Sequence, residues 1–326
     1  MIRYGIIGAG GVGRKRAACL KPGQLVAVHD VDRAQAERLA RIAAAKVADE
    51  ASAIFENPTI DAVIIATRHD ALADLALRAM QAGKHVLVEK PAARNAAELA
   101  PLLDAQAACG VQVRVGYNHR FHPALAAARR IVERGELGPL FLVRGRYGHG
   151  GRLGYEHEWR AQREISGGGE LIDQGVHLID LARWFLGDFA TIRGSVPTLF
   201  WNMPVEDNAF LELQTAGGAT AWLQASCSEW KNLFSLEIYG RGGKLQVDGL
   251  GGSYGPEQLT HYRMKPEMGP PRDTVHKFIG EDGSWRVEIE AFEHDIATGT
   301  RPSPGLADAF ATLQIVDEIY RQNGRG

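Results

Sequence analysis

The stretch Ile2-Arg3-Tyr4-Gly5-Ile6-Ile7-Gly8-Ala9-Gly10-Gly11-Val12-Gly13 decides the fold of the amino-terminal half. A β-branched apolar run enters a glycine turn, and helical spacing takes over from Val12. Gly8 permits the tight turn, Gly10 lets backbone approach a pyrophosphate, and Gly13 lets the helix lie against the strand. The free N–H groups around Gly11 and Val12, with the partial positive charge of a helix start, then receive the diphosphate. A second strand, Leu25 to His29, ends at Asp30, close to the roughly 20 residues beyond the first glycine at which a ribose-binding acid is expected. Asp30 would accept ribose hydroxyls and repel a 2′-phosphate, so NAD is the expected cofactor; Arg33 and Arg14 keep NADP open. A structural glycine turn followed by a surface Asp is the bland alternative, and the register of strand, glycines, helix, strand and acid argues against it.

Working outward, short β-branched runs alternate with alanine-rich helical segments up to about Gly116. Strands are expected at Ile2-Ile7, Leu25-His29, Ala62-Ala66, His85-Val88 and Gln112-Val115. Helices are expected near Val12-Leu20, Arg33-Ala45, Ala71-Gln81 and Ala96-Ala108, with Gly83 and Gly110 as helix-ending residues. This is a doubly wound parallel sheet, α/β in class, for residues 1–118. Residues 119–326 follow a different rhythm: a helix at Pro123-Arg134, a Gly, Arg and aromatic stretch, a helix near Leu171-Leu186, then strands of period two and a final helix at Asp308-Arg321. In Ala221-Cys227 and Phe234-Tyr239 apolar and polar residues alternate, which predicts an α+β domain with an open, largely antiparallel sheet. Trp222 on the more polar face points to a partner subunit, hence a homodimer or homotetramer.

Composition narrows the function. The chain has 326 residues, 45% of them hydrophobic, which excludes a disordered chain and favours two packed domains. Lys plus Arg (37) nearly balance Asp plus Glu (39), so no whole-protein field attracts nucleic acid or an anionic membrane. Cys19, Cys109 and Cys227 lie far apart, and read as thiols in a reducing compartment. With no basic leader at the first residues and no apolar run of roughly 18 to 20, cytoplasm is the expected location.

Two sequences carry candidate chemistry. Glu89-Lys90-Pro91 stands where a parallel strand ends, the edge at which ligands bind in such sheets, so Lys90 is aimed at the nicotinamide side rather than being one half of a surface ion pair. Ser166-Gly167-Gly168-Gly169-Glu170-Leu171-Ile172-Asp173-Gln174-Gly175-Val176-His177 leads a glycine turn into a helix. Asp173 and His177, four apart, share one face, where a carboxylate orients an imidazole for proton transfer. A helix-start Asp with a packed His has the same spacing. Arg144 to Arg160 is rich in aromatic, hydroxyl-binding and guanidinium side chains and suits a polyhydroxylated ligand with an anionic handle, or is an ordinary exposed loop. His119, His122 and Glu156-His157-Glu158 make no recognised zinc spacing, so no metal is expected.

Taken together, GAGGVG, Asp30, Glu89-Lys90-Pro91, Gly116-Tyr117-Asn118-His119-Arg120 and Asp173-x-Gly175-x-His177 resemble the Gfo/Idh/MocA family of NAD(P)-dependent oxidoreductases, over nearly the whole chain. The resemblance implies a Rossmann domain followed by an α/β domain, sugar or cyclitol substrates, and catalytic Lys90, Asp173 and His177. It also implies that Trp159 and Arg160 lie near the cofactor and that Thr67 and His69 line its nicotinamide half. The cofactor set is therefore Gly8, Gly10, Gly11, Val12, Gly13, Asp30, Thr67, His69, Glu89, Lys90, Arg120, Trp159 and Arg160. The substrate set is Lys90, Asn118, Tyr147, Arg152, Tyr155 and His177. One departure stands out: Leu72 takes the place where many members carry a His. The expected activity is hydride transfer between nicotinamide and a carbinol or ketone carbon of a sugar, cyclitol or derivative, phosphorylated or nucleotide-linked forms included. The alternatives are an NAD-dependent glycosidase with transient oxidation and a non-catalytic dinucleotide sensor.

Overall fold

The computed structural model describes residues 1–325. Two compact units emerge: Met1–Tyr117 with Trp285–Leu313, and Asn118–Ser284 with the chain from Gln314 onward. Thus the second half of the sequence lends a segment back to the first unit, a return that a single division at residues 118 and 119 does not contain.

In the first unit β1 (Tyr4–Ile7), α1 (Gly11–Ala18), β2 (Leu25–His29), α2 (Arg33–Ala43), β3 (Lys46–Val47), α3 (Ala51–Phe55), β4 (Ala62–Ile65), α4 (His69–Gln81), β5 (His85–Glu89), α5 (Ala96–Cys109) and β6 (Val113–Gly116) alternate. The sheet order is β3-β2-β1-β4-β5-β6, parallel throughout, which is the doubly wound dinucleotide-binding arrangement. Strands buried on both faces explain the uninterrupted Ala62-Val63-Ile64-Ile65 run. Helix ends follow local chemistry. The Asp32 side chain accepts from the Ala34 N–H at 3.1 Å, Asn95 from the Glu98 N–H at 2.9 Å, and Gly110 closes α5 in the left-handed region. Ile289 and Phe292, in the returning segment, complete the core formed by Tyr4, Ile6, Val28, Ile64 and Leu87.

After a 3-10 turn at Asn118–Phe121, the second unit runs α6 (Pro123–Glu133), β7 (Leu140–Gly148), α7 (Arg163–Ser166), a π turn (Leu171–Gly175), α8 (Val176–Leu186), β8 (Phe189–Ser195), β9 (Asn208–Thr215), β10 (Thr220–Ser226), β11 (Leu233–Gly240), β12 (Gly243–Asp248), β13 (Glu257–Arg263) and β14 (Arg272–Phe278). Then come α9 (Ser284–Thr298) and α10 (Leu306–Gln322). Eight strands form one sheet in the order β14-β13-β12-β11-β7-β10-β9-β8, antiparallel except for β7 with β10. β7 is central, although the sequence reading placed its residues 144–148 in an irregular stretch. The reason is local. Gly145 faces inward, and a Cβ there would sit 3.0 Å from Leu178 of α8 and from Leu236, so the inward position that should have advertised a strand carries no side chain. The opposite face of the sheet is open, with Trp222 61% exposed.

Candidate active site

In the first unit the glycine turn is built as its spacing requires. Gly8 has φ +98°, and a Cβ at Gly13 would run into the Gly8 carbonyl oxygen. A Cβ at Gly10 or Gly11, by contrast, would meet nothing within 4 Å. The turn therefore offers open space in front of its backbone, the cradle a diphosphate needs. Val12 is half-buried on α1. The Asp30 carboxylate accepts from the Ala9 N–H at 2.6 Å and the Asp32 N–H at 2.8 Å. Those bonds use about half of the four or so lone-pair sites of a carboxylate and leave the rest for hydroxyl donors. Arg33 is held by Glu37 at 3.0 Å and by Asp49, and Arg14 donates to the Ala9 carbonyl at 3.3 Å. Arg33 thus already has two carboxylate partners at the surface.

Lys90, half-buried, follows directly on β5. Glu89 beside it accepts from the wholly buried Arg16 at 2.7 Å, and Arg16 also donates to Glu288 at 2.6 Å with the Trp285 ring 4.4 Å away. Burial raises the Glu288 carboxyl above the usual range even against Arg16. Arg16 and Glu288 were not among the residues singled out from sequence, and no local pattern marks them. Thr67 lies just beyond β4 with its hydroxyl on the Arg68 carbonyl at 3.2 Å, and His69 is buried at the start of α4. Leu72 is a core residue.

The second unit gathers the other candidates. Asp173 lies in the π turn and His177 in the first turn of α8, both buried. Arg160 donates through Nε to Asp173 at 3.1 Å, and the Trp159 ring lies 4.5 Å from the Arg160 guanidinium. The Tyr147 phenol is held well above its ordinary pKa by burial, with the neighbouring Tyr254, Asp173 and Glu170 adding to the shift. Tyr155 donates to Glu170 at 2.9 Å. Arg152 is exposed and paired with Glu158 at 2.6 Å. Burial opposes the charging of His149, but Glu170 overrides it and raises the imidazole pKa. The Arg120 fork is taken up by Asp180 at 2.8 and 2.6 Å. Both functional groups of the Asn118 amide are engaged, Nδ2 donating to Ser284 Oγ at 2.9 Å and Oδ1 facing His119 Nδ1 at 3.2 Å.

The turn into the Asp173 helix is anchored by a residue that sequence reasoning missed. Buried Glu206 accepts from the Gly169 N–H at 3.0 Å, the Leu171 N–H at 3.2 Å and the Tyr320 hydroxyl at 2.6 Å. A Cβ at Gly168 would strike the Tyr320 hydroxyl and one at Gly169 the Glu206 backbone, so these glycines make room for protein. Among the described residues no group of three or more His, Cys, Asp or Glu is placed to hold a metal ion, and no helix is long and apolar enough to cross a membrane.

These features define an oxidoreductase with an NAD-binding Rossmann domain. Residues 2–117 match the family model described as oxidoreductase family, NAD-binding Rossmann fold, and residues 125–246 match the GFO/IDH/MocA C-terminal domain. The chain belongs to the GFO/IDH/MocA family. It is 30% identical over 329 residues to an inositol 2-dehydrogenase of Rubrobacter xylanophilus, covering 97% of this chain and 89% of that protein. It is 26% identical over 309 residues to a levoglucosan dehydrogenase of Pseudarthrobacter phenanthrenivorans, covering 82% of this chain and 78% of that one. A solved levoglucosan dehydrogenase in complex with NADH shares the fold with a TM-score of 0.89 at 24% identity, over 99% of this chain and 97% of the other.

Proposed function

We propose that the protein is an NAD-dependent dehydrogenase or reductase acting on a secondary hydroxyl, or the matching ketone, of a sugar or cyclitol. Bound NAD supplies the two-electron acceptor. Gly8, Gly10, Gly11, Val12 and Gly13 would hold its diphosphate and Asp30 its adenine-side ribose, with Thr67 and His69 toward the nicotinamide. His177 takes the hydroxyl proton, Lys90 stabilises the alkoxide-like oxygen, and Asp173 orients the imidazole. Arg160, by pairing with Asp173, holds that carboxylate in place for the task. Tyr147, Arg152 and Tyr155 belong to the proposed substrate side; Asn118, expected there from sequence, has both ends of its amide engaged and backs the site from within, and Glu89, Arg120 and Trp159 belong to its support and that of the cofactor. The open sheet face that carries Trp222 suits a homo-oligomer, and the balanced charge suits a cytoplasmic protein.

The observation that carries this reading is the buried acid and imidazole of Asp173 and His177, in a chain whose other unit carries a glycine turn that no protein atom crowds, beside an acid. The test is a panel of cyclitols, anhydrosugars, aldoses, sugar phosphates and nucleotide sugars offered with NAD and then NADP, following absorbance of the reduced nicotinamide. Steady reduction of NAD with one chemical class supports the proposal. Product release without net reduction would replace it with a glycosidase reading, and binding of NAD with no turnover anywhere would leave a sensor.

A further inference from the structure

We infer that His119 is a positioning residue for His177: a flat, neutral ring that backs the reacting imidazole and limits the stacked pair to one positive charge. The inference rests on the proposed proton-transfer role of His177.

The two rings lie with centroids 3.8 Å apart and planes 21° from parallel, both buried. A chain of hydrogen bonds sets the state of His119. The Ser284 hydroxyl donates to Asp282 Oδ1 at 2.6 Å. Having given its one hydrogen there, Ser284 Oγ accepts from Asn118 Nδ2 at 2.9 Å. The amide oxygen of Asn118 is thereby the atom that faces His119 Nδ1 at 3.2 Å. An amide oxygen only accepts, so Nδ1 of His119 carries a hydrogen. A neutral His119 in this tautomer already satisfies the Asn118 amide oxygen.

The aromatic and charged neighbours of the pair fit this assignment. Tyr147 of β7 meets His119 edge-on at 5.1 Å and His177 at 6.1 Å, its phenol kept neutral, with Tyr254 4.9 Å behind it. Phe234 of β11 meets His119 at 5.8 Å. His122 approaches His119 at 5.7 Å, while its own Nδ1 lies 3.0 Å from Glu257 and its Nε2 3.9 Å from Asp282. The acids on the chain segment that carries His177 are Asp173, with Arg160 on it, Glu170 one turn earlier, and Asp180 three residues later, whose charge is met by the Arg120 fork beside His119. Two imidazolium rings face to face at this separation would repel strongly in so buried a place, whereas a cation on an aromatic face is stabilised. A stacked face is also no proton path, because ring nitrogens donate and accept in the ring plane. His119 therefore acts on the orientation and charge of His177, and is no relay.

The test uses the full-length protein and the best substrate of the panel. His119→Phe keeps a flat neutral face; His119→Leu fills the volume without one. The expected result is a kcat reduced at least tenfold in H119L with KM for substrate and NAD within about twofold, and a kcat within about threefold of wild type in H119F. The acid limb of kcat/KM should fall with a slope of one proton in both wild type and H119F. Wild-type kcat in H119L overturns the proposal. So does a two-proton limb in wild type that becomes one-proton in H119F. Should neither variant fold, titration of the histidine Cε1 resonances in the wild-type protein decides: one proton taken up by the two rings together supports the inference, two refute it. His177→Ala separates the underlying reading, since full activity in H177A dismisses His177 as the proton acceptor whatever the His119 variants do.

Discussion

The chain has two glycine turns that lead into helices, and they use the residue for opposite reasons. At Gly10 and Gly11 the missing side chains leave open space in front of the backbone, whereas at Gly168 and Gly169 the space is already filled by Tyr320 and Glu206. One turn is shaped for something outside the protein, the other for the protein itself. Both read alike in sequence, as glycines before a helix, and only the surroundings distinguish a cradle from a tight fit. The second turn still bears on the proposed chemistry, because it leads into Asp173 and His177, but it does so by being rigid.

The largest expected effects fall on the two groups proposed to act on the substrate oxygen, one from each unit. Lys90→Ala and His177→Ala should each lower kcat roughly 10²- to 10⁴-fold while melting temperature and NADH affinity, measured by calorimetry, stay near wild type. Retained turnover in either variant removes that residue from the proposed mechanism. Next comes Gly169→Ala, which drives a methyl group into the Glu206 backbone. Backbone cannot swing aside as a flexible side chain does, so urea unfolding should report a loss of about 3 kcal/mol. A neutral outcome there would mean that the second turn is as open as the first.

How far the sequence was legible follows the same contrast. The Rossmann half could be read because its signals are local: a strand, GAGGVG, and an acid at Asp30, all within one βαβ unit. Asp173 and His177 could be put forward as a pair for the same reason, being neighbours on one helical run. What escaped depends on residues far apart in the chain. Arg16 meets Glu288 and Tyr320 meets Glu206 only after folding, at separations of 272 and 114 residues. The strand β7 escaped because Gly145 is empty where Leu178 and Leu236 press in. The stacking of His119 on His177 was equally invisible, since the GYNHR motif shows a histidine but not its neighbour.

Gly10→Ala sharpens the first turn. Gly10 has φ −66° and ψ −165°, which alanine adopts without strain, and its Cβ would meet no protein atom within 4 Å. The weaker helix capping of alanine is offset by the lower entropy of its unfolded chain, so stability should remain within about 0.5 kcal/mol of wild type. NADH affinity should nonetheless fall at least tenfold, about 1.4 kcal/mol, because the methyl group occupies the approach of the diphosphate. Unchanged affinity with unchanged stability would show that the open space is not the cradle.

The smallest effect concerns Glu206, which ties down the second turn. Burial raises its pKa, and the hydrogen bonds from Tyr320, Gly169 and Leu171 only partly reverse the shift. In the unfolded chain a glutamate loses its proton near about pH 4.3. The native state holds that proton to higher pH, so across this window it binds more protons than the unfolded state, and stability falls as pH rises until the folded group has ionised. Glu206→Gln keeps the carbonyl acceptor and cannot ionise. Urea unfolding of both proteins from about pH 4.5 to pH 8 should therefore show the difference in stability drifting steadily in favour of the glutamine variant as pH increases. A drift the other way would mean that the three donors and the Arg325 guanidinium, 3.7 Å away, outweigh burial and that the turn is held by a charge.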